Sequence, residues 1–251
     1  MLKIINYSPI DYRIWIMGER AREGCNIKRM GLLNENEKKL WEEAMPYIDK
    51  RDDAGQAELV SYFTIELMKF FHAIREVVLP AAMLHDVGFY GIDPRDWKNL
   101  VRKGKTNGEL ARRPHQNRGI LLVGKLFERV GYPFEEKYQM EVAEIIGDHD
   151  TRKLPTSESG RVMRAADLLW RVTYPCIETY HSGKSVESLI EISEKNSLEM
   201  RHPYSLNDIA KNMGRIELVN SLFWKFKKKS FGALSEKYGP ELEKIRKMYD
   251  D

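Results

Sequence analysis

The sequence predicts an all-α protein. From Asn34 onward apolar residues recur at intervals of three and four, as in Leu40, Trp41, Ala44, Tyr47 and Ile48. Alternating runs that would mark half-buried strands are scarce, and the 10 Pro and 17 Gly fall between the periodic stretches as punctuation. Neither an internal repeat nor a low-complexity tract interrupts this pattern.

Each element follows from local chemistry. Asn34 or Asn36 offers an N-cap for a first helix running to about Tyr47. Asp53, just ahead of Gly55, offers the next, for a helix whose apolar face is Leu59, Val60, Phe63, Leu67 and Phe70 or Phe71. Arg75 and Glu76 open a third, Val77 to Asp86, in which Pro80 is tolerated by falling in the first turn; Gly88 ends it. The stretch from Phe89 to Pro114 is long for a connection, has room for a short helix at 96–101, and has the length of a binding loop or lid. Three helices follow: His115 to Val130, Phe134 to about Gly147, and Ser157 to about Tyr174, ending at Pro175. From Ser185 to Asp251 the pattern fits three more, with Asn207 as a cap and Gly232 between the last two. The run Lys225, Lys227, Lys228, Lys229 reads as a solvated face.

Composition limits the function classes. A formal charge of +3, from 41 basic and 38 acidic residues, gives no global field of the kind that marks a nucleic-acid binder or a polybasic membrane protein. Ser8, Pro9 and Asp11 interrupt the N-terminus before it reaches signal-peptide length, and no apolar run approaches ~18 residues. Cys25 and Cys176 lack ligand spacing and fit a reduced compartment, so the expectation is a soluble cytoplasmic protein. The expected organisation is an N-terminal extension and helix at 1–50, a core at 51–180, and a C-terminal helical extension at 181–251 packed on that core.

Chemistry concentrates in His85 and Asp86 of LPAAMLHDVG, His115 of RRPHQNRG, His149 of EIIGDHDTRK and Asp167 of RVMRAADLLWR. Imidazole and carboxylate together suit divalent iron, manganese, zinc, magnesium, nickel or cobalt, among which the residues do not discriminate. Neighbouring side chains on a helix stand ~100° apart, so His85 and Asp86 can face one ion only where the helix frays. Asp167, among Val162, Ala165, Ala166, Leu168 and Leu169, is costly to bury unless paired or ligated. The second His-Asp pair, His149-Asp150, reads by itself as an ordinary helix C-terminus with an incidental aspartate. His72 lies thirteen residues before His85, too far along a helix rising ~1.5 Å per residue to share its site; His181 and His202 follow with no matching motif.

These residues, with the flanking REVVLPAAMLHDVG, HDTRK and AADLLWR, resemble the HD superfamily of metal-dependent phosphohydrolases over roughly Arg51 to Tyr174. The resemblance implies a helical HD-domain bundle with added N- and C-terminal helices. It implies a first ion held by His85, Asp86 and Asp167, and a second held by His115 and His149 with Asp86 bridging. The superfamily's first histidine is replaced here by Gln56 in RDDAGQ, a neutral and weak ligand, and the usual lysine after the last aspartate is replaced by Leu168.

The implied reaction is attack of metal-activated water on a phosphate ester, in a nucleotide or other small phosphorylated metabolite. Cations near the ligands in sequence would bind and stabilise the phosphoryl group: Arg152 first, three residues past His149, then Arg118, one turn after His115, with Lys153, Arg113 and Lys105 as further candidates. Asp86, Arg152 and Arg118 would then be catalytic. The expected partners are the phosphorylated substrate and, in a homodimer, a second copy; neither membrane nor specific nucleic-acid binding is expected. Two alternatives stay open: a degenerate domain that binds a nucleotide or a partner without turnover, and a di-iron oxygenase using the same ligands.

Overall fold

A computed structural model describes residues 7–51, 53–93, 108–132, 135–151, 154–199 and 207–250. Every regular element among them is a helix, as expected, and none is long and apolar enough to cross a membrane. The short helix expected at 96–101 lies outside the described residues. The chain forms two compact units, Met17–Arg164 and Met1–Ile16 with Ala165–Asp251. These cuts differ from the boundaries at 50/51 and 180/181 read from sequence.

In Met17–Arg164, α1 (Cys25–Arg29) has no side-chain cap of its own from Gly24 for the first N–H groups that every helix leaves unpaired. The Glu58 carboxylate serves them, accepting from Asn26 N at 2.7 Å and Ile27 N at 3.3 Å across 31 to 32 residues of chain. Helix α2 (Glu35–Ala44) has the reciprocal capping box, with Asn34 as its cap and Glu37 at N3. Glu37 also receives Arg75 Nε at 2.7 Å and Nη2 at 2.8 Å, which ties α2 to α4 (Arg75–Leu84).

Helix α3 (Gln56–Met68) departs from expectation twice. Its N-cap is Gly55, at φ +93°, a left-handed conformation that costs glycine little. The carboxylate serving its first turn belongs to Asp49, which accepts Gly55 N at 2.6 Å and Ala57 N at 3.0 Å, while Asp53 pairs instead with Arg51. Gln56 to Leu67 are all buried, so α3 is a central helix with no solvent face, and Phe70, expected in its apolar stripe, is exposed.

The prolines also sit where local rules did not place them. Helix α4 begins two residues earlier than expected, which moves Pro80 into the second turn, within a segment from Val77 to Leu84 that is buried throughout. Pro114 and His115 lie inside α5 (Gly108–Val130) instead of at its start. Pro114 is exposed, so water can serve the carbonyl its ring leaves unpaired. Helices α6 (Glu136–Asp148) and α7 (Glu158–Trp170) match the expected segments. Helix α4 packs on α3 and α6, and α5 packs on α2 and α6.

The second unit is built from α8 (Tyr174–His181), α9 (Val186–Glu199), α10 (Asn207–Phe226) and α11 (Phe231–Asp250) around Ile177, Leu189, Leu218, Leu222, Leu234 and Ile245. Pro175, expected as a helix stop, lies in the first turn of α8, where its missing N–H costs nothing. The break before α11 is the 3-10 turn Lys227–Ser230, with Lys227 at positive φ, and Gly232 falls inside α11.

Candidate metal centre

Helix α4 stops at Leu84, His85 is its C-cap, and Asp86 leaves the helix at φ −107°, ψ 7° to lead a 3-10 turn, Val87–Phe89. That break frees two successive side chains from their ~100° separation, and both reach one place: His85 Nε2 is 3.4 Å from Asp86 Oδ2. Gly88 explains how α5 comes alongside. A Cβ at Gly88 would lie 1.7 Å from the His115 carbonyl oxygen, so only glycine permits this approach of turn and helix. His149 repeats the first arrangement as the C-cap of α6.

The structure gathers Asp86, His115 and His149 into one cluster whose potential ligand atoms all lie within 4.8 Å of one another. Asp86 Oδ1 is 3.4 Å from His149 Nε2 and 3.8 Å from His115 Nε2. Hydrogen bonds to imidazole nitrogen are shorter, at ~2.7–3.2 Å. Two tetrahedral ligands, each ~2.1 Å from an ion, stand ~3.4 Å apart. The ring nitrogens are prepared for that role. His85 and His149 each donate Nδ1–H to a backbone carbonyl three residues back, Ala82 O and Ile146 O, both at 2.8 Å, which leaves each Nε2 as the lone-pair nitrogen. His115 Nε2 is buried and has no hydrogen-bond partner among the described residues. An orphaned imidazole nitrogen beside a carboxylate and a second such nitrogen fits a divalent cation of the borderline class.

Electrostatics agree with that geometry. Burial by itself would raise the Asp86 carboxyl, but the Arg51 guanidinium first, then the His85 and His149 rings beside it, outweigh burial and hold the group well below the usual carboxylate range. Burial lowers the His115 imidazole to about 4, so the ring is neutral at pH 7. His149 is pulled the other way: burial would lower it, yet Asp150 and Asp86 raise it above its ordinary value.

Three neighbours carried no signal in the sequence reading. Asp150 Oδ2 lies 3.5 Å from His115 Nε2 and 3.7 Å from His149 Nε2. The aspartate read as incidental therefore faces the cluster, and the repeated His-Asp dipeptide at a helix end was the available clue. Phe89 stacks on His115 with centroids 4.1 Å apart and planes 13° from parallel. The Arg51 guanidinium rests on the same Phe89 ring, 4.6 Å from its centroid. No local pattern marks Arg51: Asp53 and Gln56 are near it in sequence, but Asp86, 35 residues on, is brought to it by tertiary folding.

The other predicted residues stand as follows. Gln56 is buried, with Nε2 3.3 Å from His85 Nε2 and Oε1 accepting a hydrogen bond from Arg51 Nη2. Asp167 is half-buried on α7 and falls in the other compact unit. Arg118 is exposed and donates Nη2–H to Tyr90 O at 2.7 Å. Arg113, five residues before it, and His72 are both exposed. Arg152, Lys153, Lys105 and His202 lie outside the described residues.

Compared with family models, curated proteins and solved structures, the chain matches none.

Proposed function

We propose that the cluster of Asp86, His115 and His149 binds a divalent cation and that the chain is a metal-dependent phosphohydrolase of the HD type, acting on a small phosphorylated metabolite. The observation that carries the reading is the orphaned His115 Nε2, 3.8 Å from Asp86 Oδ1 in a cluster whose His149 ring already donates its other nitrogen to backbone. A divalent cation there would satisfy the three ligand atoms of Asp86, His115 and His149 at once.

The chemistry a divalent ion would supply there is Lewis acidity and a water nucleophile usable at neutral pH. Asp86, His115 and His149 hold it, with His115 kept neutral by burial. Asp150, half-buried and beside both imidazoles, is placed to accept a proton from the attacking water. Arg118, one turn along α5 from His115, is the cation assigned to the phosphoryl oxygens, at the cost of sharing its guanidinium with Tyr90 O. Arg152, Lys153, Arg113 and Lys105 remain proposed contacts on the substrate, and the cytoplasm remains the proposed compartment.

The test joins metal analysis of the purified chain to a phosphate-release screen over nucleotides and sugar phosphates, run with and without dioxygen. His115→Ala is expected to lower both metal occupancy and phosphate release by more than ~100-fold. Metal-free wild-type protein, or a variant as active as wild type, would sink the hydrolase reading. Bound metal without turnover would favour the binding domain, and oxygen consumption with iron the oxygenase.

A further inference from the structure

Arg51 occupies the half of the site that a first ion would need. Its guanidinium donates to Gln56 Oε1 and to Asp86 Oδ2, and that Asp86 oxygen lies 3.4 Å from His85 Nε2. Its Nε is paired with the buried Asp53 carboxylate at 2.7 Å, and its plane rests against Phe89. Four partners therefore hold a side chain that, on a surface, would keep its rotamer freedom.

The consequences for Asp86 are directional. One oxygen, Oδ2, is taken up by Arg51, while Oδ1 faces His115 and His149. On the first side the lone pairs are also spoken for, because Gln56 Oε1 accepts from Arg51 and His85 Nε2 lies at hydrogen-bond distance from the Gln56 amide nitrogen. Guanidinium does not lose its proton in proteins, so a divalent cation brought to these atoms would meet a fixed like charge as well as competing donors.

We propose that Arg51 serves as a built-in cation in place of a first metal ion, so that the chain binds a single ion, on the Asp86 Oδ1, His115 and His149 side. The inference rests on the reading of that cluster as a metal site. It makes Arg51 a positioning residue, which neutralises Oδ2 and turns Oδ1 toward the two histidines. Gln56 is then part of the Arg51 seat rather than a weakened ligand, and the two explanations of Gln56 diverge in what they expect of a single substitution.

The experiment titrates the metal-stripped full-length chain with Mn²⁺, reading ions bound per chain and following the spin coupling of Mn²⁺ by electron paramagnetic resonance. Wild type is expected to bind one uncoupled ion. Gln56→His alone is expected to stay at one, because Arg51 still holds Asp86 Oδ2. Arg51→Ala/Gln56→His is expected to bind two, with a coupled signal, since the introduced imidazole, His85 and Asp86 are then free of the guanidinium. Two ions in wild type or in Gln56→His would overturn the assignment while leaving the metal site intact, as would a folded double variant that stays at one. No uptake by wild type would overturn both the assignment and the reading beneath it. If circular dichroism shows the double variant unfolded, wild type and Gln56→His decide the matter between them.

Discussion

Asp150 shows how much depends on where a single side chain points. In sequence it is the second half of a common dipeptide, yet its carboxylate stands 3.5 Å and 3.7 Å from two imidazole nitrogens that a third residue, Asp86, also faces. With the cluster read as a metal site, Asp150 adds negative charge beside the ion and supports the two rings. Asp150→Asn keeps the shape and removes the charge, so Mn²⁺ affinity is expected to fall ~10-fold, the lower end of what supporting groups contribute. Unchanged affinity in a titration of the two proteins would place Asp150 outside the site's electrostatics. Arg51 teaches the complementary lesson. A guanidinium that composition counts as one of 41 basic residues is, in the fold, paired to Gln56, Asp53 and Asp86 at once.

Among the elements, the helix ends govern the site more than the helix interiors do. His85 and His149 are both C-caps, and each spends its Nδ1–H on the carbonyl three residues earlier. The start of α3 matters equally, because it positions Gln56, and it depends on Asp49, a residue at φ +50° whose carboxylate accepts two N–H groups. Loss of an N-cap costs ~1 kcal/mol, and a non-glycine residue held at positive φ costs ~1 kcal/mol more, least for Asn and Asp. Asp49→Ala is therefore expected to destabilise the chain by ~2 kcal/mol, and Asp49→Asn by about half of that, since asparagine tolerates the conformation and keeps one acceptor. Urea denaturation of the two variants checks the order. Equal losses would mean that the backbone conformation of Asp49 contributes nothing.

At the scale of the whole molecule, buried carboxyl groups give the chain a pH-dependent stability. Glu217 accepts Tyr7 Oη–H at 2.6 Å and Ile10 N–H at 2.8 Å, but burial dominates and pushes its carboxyl up to about 7. Because the folded value lies above the ordinary 4.5, the native state keeps a proton that the unfolded chain releases. The associated stability is complete below about 4.5 and is lost as pH rises through about 7. Glu217→Gln cannot ionise, so its stability relative to wild type is expected to improve by ~2 kcal/mol between pH ~5 and pH ~8, measured by urea midpoints at both. A difference that does not change with pH would show that Glu217 is ionised throughout. The all-α class, Asn34 as one of two offered caps and a helix end near His85 and Asp86 were legible in the sequence from periodicity and capping chemistry, which are local properties. The gathering of Asp86 with His115 and His149 was an expectation that rested on the resemblance, since His115 stands inside α5 and not at a helix end. Glu58 capping α1, Asp49 capping α3, the interior positions of Pro80 and Pro114, and the seat of Arg51 were not legible in the sequence. Which residue types could form a site was determined by the sequence alone. Which oxygen of Asp86 faces the histidines and which meets a guanidinium was decided only by tertiary structure, because a side chain takes its partners from whatever the folded core carries to within a few ångströms of it, and no local pattern encodes that distance.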